Sequence, residues 1–405
     1  MKKIILFLSI LCITLSAVTL ATYASSDYTL NGTAFTVYTA DGLMEVAKII
    51  NGEAGDTSVL YTAYSINIAN DIDMSGKAWK PIGKNDTYVY TGTVNGNGHT
   101  VSNLTRKNYS SICLGFIGTA GVGVRVQDLN FENVNFTSSR TDTAYVGGII
   151  GKAKGAGEMT VSACTVSGNV QNTTGGVGGF VGAVTSSYAA LEISNCTFDG
   201  NVASESIDAG SLVGFVKSGA SVTALESKTV SGSVRAGTVF TVYSADALMD
   251  AASKVNSDTA FSSAVINIGK NIDMNGKTWI PIGKDTAFAF KGAVNGKGHT
   301  VSNLTSLNYT AENLGFVGVA GDGAAVKDLH LENLDFKTSA NCVGGIIANV
   351  TDTAQITGCT VQGSIYTSGK YAGGLVGVVS TSSSYLTVSN CAVDADICAV
   401  GHSAS

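Results

Sequence analysis

Apolar and polar side chains alternate in short bursts along most of this chain. Val161-Ser162-Ala163-Cys164-Thr165-Val166-Ser167-Gly168 and Ile193-Ser194-Asn195-Cys196-Thr197-Phe198-Asp199-Gly200 share one pattern. Ile356-Thr357-Gly358-Cys359-Thr360-Val361-Gln362-Gly363 and Val388-Ser389-Asn390-Cys391-Ala392-Val393-Asp394-Ala395 repeat it. Period-two alternation predicts strands whose side chains face inward and outward in turn. Two segments carry helical apolar spacing instead, residues 39–50 and 244–255. Thr39 and Ser244 open them as expected N-caps, with acidic residues following early.

Between the strands lie glycine corners. Leu114-Gly115-Phe116-Ile117-Gly118, Val146-Gly147-Gly148-Ile149-Ile150-Gly151, Val177-Gly178-Gly179-Phe180-Val181-Gly182 and Ala209-Gly210-Ser211-Leu212-Val213-Gly214 close on glycines 33, 31 and 32 residues apart. Leu314-Gly315-Phe316-Val317-Gly318, Val343-Gly344-Gly345-Ile346-Ile347-Ala348 and Ala372-Gly373-Gly374-Leu375-Val376-Gly377 continue the series. A period of about thirty residues makes each repeat one coil of a solenoid, with parallel sheets whose inward residues form ladders.

A longer repeat overlies this one. Ile72-Asp73-Met74-Ser75-Gly76-Lys77-Ala78-Trp79-Lys80-Pro81-Ile82-Gly83 returns 200 residues later as Ile272-Asp273-Met274-Asn275-Gly276-Lys277-Thr278-Trp279-Ile280-Pro281-Ile282-Gly283. Asn95-Gly96-Asn97-Gly98-His99-Thr100-Val101 likewise returns as Asn295-Gly296-Lys297-Gly298-His299-Thr300-Val301. A residue that recurs in this way is as well explained by duplicated scaffold as by a unique site. A helix at the start of each half is expected to cover the open end of a β-stack, an edge that would otherwise pair with other chains. Two caps imply two β-helical domains, residues 27–235 and 236–405, with the boundary near Ser231 to Thr238. The second half lacks a coil matching residues 209–234.

Composition changes the picture in two ways. Only 13% of residues are charged and the formal net charge is −6, which gives no footprint for a nucleic-acid partner. Forty-nine glycines against two prolines fit stacked β-structure and not an ordinary α/β enzyme. Met1-Lys2-Lys3, an apolar run and Thr22-x-Ala24 describe a secretory signal peptide over residues 1–24. The mature protein is expected to be exported and monomeric, without a membrane span.

The Gly-Gly-x-x-Gly repeats, each followed by a cysteine-bearing strand, resemble the GLUG motif of bacterial secreted and surface proteins. The Asp-Met-x-Gly-x-x-Trp-x-Pro-Ile-Gly stretch and the Asn-Gly-x-Gly-His turn look like segments that precede such motifs. The resemblance implies right-handed parallel β-helices, all-β and in tandem here, within adhesin-like proteins or large surface peptidases that carry separate catalytic domains. It implies no activity. The second half reads as a short or truncated member.

Candidate chemistry is sparse. Cys164, Cys196, Cys359 and Cys391 are expected to stack one coil apart inside the solenoid, where Leu129 and Leu329 hold the same place in preceding coils. A ladder of buried thiols acting as small hydrophobes explains them; Cys164–Cys196 and Cys359–Cys391 disulfides stay open in an exported protein. No CxxC completes a zinc site. His99 and His299 share their surroundings and have no acidic partner at a shared spacing, so both are expected to serve a turn. Asp71, Asp73 and Asp273 are the candidate carboxylates of a polysaccharidase, but no basic motif adjoins them. Asp128 and Asp328 suit turns. Of four arginines beyond the signal peptide, Arg106, Arg125, Arg140 and Arg235, none lies beside an acidic motif. Trp79 and Trp279, beside the only prolines, fit packing between cap and first coil better than sugar stacking. No residue is assigned as catalytic, cofactor-binding or metal-binding. The expected function is that of a secreted or cell-surface non-catalytic protein, adhesive or scaffolding, with a host or cell-wall glycan or an extracellular protein as partner. The alternatives are a β-helical polysaccharide lyase or glycoside hydrolase, or the repeat region of a larger surface peptidase. A groove of converging charges would favour the enzyme and a flat polar face would favour adhesion.

Overall fold

The structure, a computed structural model, describes residues 22–206, 208–306 and 309–401. Most of the expected signal peptide lies outside the described residues; Thr22–Ala24 forms a strand antiparallel to Tyr28–Asn31. The rest is an all-β solenoid of right-handed type, with about 12 turns of about 31 residues. Two α-helices interrupt it, α1 (Ala40–Ile50) and α2 (Ala245–Val255).

Alternation becomes ladders. Val94, Val126, Val161 and Ile193 pair in parallel register through four successive coils and are fully buried. Val101, Phe131, Val166 and Phe198 do the same on the next sheet. The intervening residues face outward, which is what a period of two delivers on a parallel stack. At the Gly-Gly corners the backbones of adjacent coils nearly touch. A Cβ on Gly148 would sit 2.3 Å from the Gly179 carbonyl oxygen, and one on Gly179 would sit 2.1 Å from that of Ser211. No side chain fits there, so the recurring glycine is a packing requirement.

Both helices are capped from their own sequence. Gly42 N donates to Thr39 Oγ1 at 3.1 Å and Ala247 N donates to Ser244 Oγ at 3.2 Å. Leu43, Val46, Ala47 and Ile50 of α1 are buried in the first core. Just past each helix, a buried asparagine clamps the proline loop. Asn51 donates to the Pro81 carbonyl at 2.9 Å and accepts from Lys84 N at 3.0 Å; Asn256 holds Pro281 and Lys284 at 2.8 and 2.9 Å.

The core divides into two clusters, one running from Leu30 to Val234 and one from Phe240 to Ile365. Backbone pairing continues between them. Lys228–Ala236 lies parallel to Thr197–Ser204 as the last coil of the first stack, and pairs antiparallel with Val239–Val242, which opens the second. The boundary expected near residues 231–238 therefore falls in a hairpin, which repeats the pairing of Tyr28–Asn31 with Ala34–Val37. Among the described residues no helix is long and apolar enough to cross a membrane.

Candidate functional site

Most residues singled out in the sequence turn out to hold the coils together. Trp79 and Trp279 are fully buried, stacked on Phe116 and Phe316 of the following coil, with each Nε1 donating to a glycine carbonyl (Gly115 or Gly315) at 2.9 Å. They are closed to sugars. Asp73 accepts from Asn103 Nδ2 at 2.8 Å, and Asn133 Nδ2 donates to Asn103 at 2.6 Å; Asp273, Asn303 and Asn333 repeat the ladder. Asp128 and Asp328 occupy corner positions with φ of 52° and 49°.

Cys164, Cys196 and Cys359 are fully buried free thiols; Cys391, in the last described coil, is half-buried. Each sulfur faces two carbonyls, one two residues back and one in the preceding coil, such as Ser194 at 3.2 Å and Val161 at 3.6 Å for Cys196. The thiol–thiol contact with Cys196, with burial, holds the Cys164 proton well above the usual range, and burial, helped by Cys391 and Asp328, pushes Cys359 to about 11. The same contact lowers the pKa of Cys196, so it is burial that shields that thiol, whereas Cys164 and Cys359 are shielded and protonated both.

His99 does have an acidic neighbour. Its Nδ1 lies 3.2 Å from Asp71 Oδ1, a contact across 28 residues that the sequence expectation missed. At the matching place His299 faces Asn271 at 3.3 Å.

The arginines hold the larger correction. Arg106 and Arg140, 34 residues apart in sequence, converge with Lys80, Lys84 and Lys152 around one cavity of about 670 Å³. Glu53, from the turn after α1, and Asp86 line it too. Five cations meet two carboxylates there, an excess of three positive charges on a chain of net −6. Lys80 and Lys84 flank the proline loop that Asn51 clamps, Arg106 and Tyr109 come from Thr105–Tyr109, and Lys152 from Ile150–Ala153. Arg140 sits in the loop that follows Asn130–Ser138. Stacking of successive coils brings these distant positions onto one face.

The ion pairs divide the cations. Glu53 takes Lys80 at 2.7 Å and Lys84 at 2.8 Å; Asp86 takes Lys152 at 2.6 Å and Lys154 at 3.3 Å. Arg140 pairs with Asp142 and donates to the Ser110 carbonyl at 2.6 Å. Burial opposes ionisation of Glu53, but hydrogen bonds from both lysines outweigh it and lower its pKa. The bond from Lys152 lowers that of Asp86. Both carboxylates are thus held ionised and engaged, a poor state for a general acid. Among the described residues no cluster of His, Cys, Asp and Glu is arranged to hold a metal ion.

The second half supplies an internal comparison. Lys84 and Tyr109 recur as Lys284 and Tyr309, yet Lys80 becomes Ile280, Arg106 becomes Ser306, Cys113 becomes Asn313 and Lys152 becomes Asn349. The loop that carries Arg140 is three residues shorter there, counting from Ser138 to Val146 against Thr338 to Val343. The frame is duplicated; the positive charge is not. Comparing the halves for differences would have exposed this site from sequence.

No family model matches the chain. It aligns with halomucin of Haloquadratum walsbyi at 32% identity over 168 residues, 41% of this chain and 2% of that protein's length. A crystal structure of a candidate immunoglobulin A1 protease from Bacteroides ovatus superposes with a TM-score of 0.37 and 15% identity, over 89% of this chain and 84% of that one. At that score the likeness carries no argument.

Proposed function

We propose that this chain is an extracellular or cell-surface β-helix of the GLUG kind that binds a ligand without transforming it. The basic cavity is its binding site and the coils are its scaffold, with α1 and α2 as caps over the stack ends. One observation carries the reading: at matched places in the two frames three cations, Lys80, Arg106 and Lys152, are present in one and replaced in the other, where the loop that carries Arg140 is also shorter. Scaffold needs alone would treat both alike. The alignment with part of halomucin supports the surface setting.

The enzyme reading draws on the same cavity, where Glu53 and Asp86 meet cations as in a polysaccharide-cleaving cleft. Against it stands the engagement of both carboxylates by lysines, which leaves no free acid and base pair. Incubating the purified chain with pectin, alginate and glycosaminoglycan panels separates the two. Saturable binding with no cleavage products is expected; products that vanish in Glu53→Gln or Asp86→Asn would establish the enzyme instead.

A further inference from the structure

Charge neutralisation around the cavity is uneven. Glu53 answers two lysines, Asp86 answers Lys152, and Asp142 answers one end of Arg140. Arg106 makes no ion pair among the described residues; its guanidinium lies 5.1 Å from the centre of the Tyr109 ring. The Nε atoms of Arg106 and Arg140 are both buried with no hydrogen-bond partner. Buried donors are ordinarily satisfied, so two unsatisfied guanidinium nitrogens on side chains that line one cavity leave both arginines short of acceptors. Arg140 spends both terminal nitrogens on the Ser110 carbonyl and Asp142, whereas the guanidinium of Arg106, without an ion pair among the described residues, matches a planar or trigonal oxyanion through two parallel bonds.

The remaining lining narrows the class. Ser110, Ser111 and Thr87 offer exposed hydroxyls and Ile112 is the single aliphatic side chain, while the Tyr109 ring is buried beneath Arg106. Arginine clusters also take acidic peptides, and the exposed hydroxyls of this wall are what favour a sugar over them. Exposed hydroxyls beside cations suit the hydroxyls and the acidic group of a sugar. Resting on the binding reading above, we propose that the ligand is an acidic saccharide whose carboxylate or sulfate docks on Arg106 and Arg140. Ser306, which replaces Arg106 in the second stack, donates to the Trp279 carbonyl at 3.1 Å and shows that the frame accepts serine there.

The test titrates the full chain by calorimetry with a galacturonate trimer, its methyl ester, a sulfated disaccharide, its desulfated form and a hexaglutamate peptide. At least one acidic sugar is expected to bind and its neutral partner not to, and the two acidic arms decide between carboxylate and sulfate. Arg106→Ser should weaken binding by about tenfold or more with an unchanged melting temperature. Arg106→Lys should fail to restore it, because the charge returns without the fork. Arg140→Ala gives a second reading should Arg106→Ser melt early, and Arg125→Ala, outside the cavity, should bind as the parent does. Equal binding of neutral sugars, or binding of the peptide alone, overturns the acidic-saccharide assignment while the binding role stands. An acidic sugar whose binding ignores both arginine changes also overturns it. Silence across the whole panel sinks the binding role itself.

Discussion

Asp71 Oδ1 accepts from Thr100 N at 2.9 Å and meets His99 Nδ1 at 3.2 Å, joining two coils through one exposed carboxylate. The bonds from Thr100 and His99 lower its pKa. A carboxyl with a depressed folded pKa adds stability that is present above its unfolded value, near about 4, and is lost as pH falls through the folded one. Asn271 makes both contacts in the second half without titrating, with Thr300 N at 3.1 Å. Asp71→Asn is therefore expected to match the parent at about pH 7 and to lose less stability toward about pH 2.5. Denaturant midpoints across that range check it, and parallel curves for the two proteins would refute the linkage.

Trp79 should be among the costliest side chains to truncate. Its ring stacks on Phe116 at 5.4 Å with planes 2° apart, at zero exposure. Trp79→Ala is expected to lose about 3–5 kcal/mol. Trp79→Phe keeps a ring but orphans the Gly115 carbonyl, at about 1–3 kcal/mol. Urea unfolding measures both, and a larger loss for the phenylalanine variant would contradict the packing account.

The cysteine ladder ends in a serine that shows what the position requires. Ser227 Oγ donates toward the Leu225 and Ile193 carbonyls at 3.1 Å each, the same two relations that Cys196 makes through sulfur. Cys196→Ser should accordingly cost less stability than Cys196→Ala, the reverse of the order for a purely apolar site. In iodoacetamide pulses the exposed Cys398 should label first, and Cys113, Cys164, Cys196 and Cys359 should label only on unfolding. Rapid native labelling of Cys164 would overturn its interior placement.

The residue before that ladder sits in the left-handed region at each corner, as Asp128, Asn195 and Glu226 do at φ 52°, 53° and 52°. Ala163 holds the same place at φ 50° without a side chain able to help. Ala163→Gly is expected to gain up to about 1 kcal/mol by relieving that strain. A drop in the melting temperature would count against the strain.

The repeating parts of this molecule were legible because each coil meets the same local demands. Alternation gave the Val94 to Ile193 ladder, glycine pairs gave the corners at Gly148 and Gly179, and Thr39 and Ser244 gave the helix starts. The cavity was not legible in that way. Its charges stand at positions 53, 80, 84, 86, 106, 140 and 152, and only the pitch of the stack makes neighbours of the distant ones. Asp71 and His99 were missed for the same reason, being 28 residues apart on consecutive coils. The half-burial of Cys391 depends on what lies over the final coil, which an alternating pattern does not encode.

The strand Lys228–Ala236 belongs to both stacks, and this has a mechanical consequence. A tether between them would absorb a pull by straightening; here the load passes directly into the backbone bonds of the hairpin, such as Tyr243 N to Gly232 O at 2.9 Å. Coils would then peel singly, and each turn of about 31 residues would pay out about 100 Å of chain. A protein held at one end and loaded at the other would lengthen in steps of that size, keeping the unpeeled coils, and whatever they hold, intact.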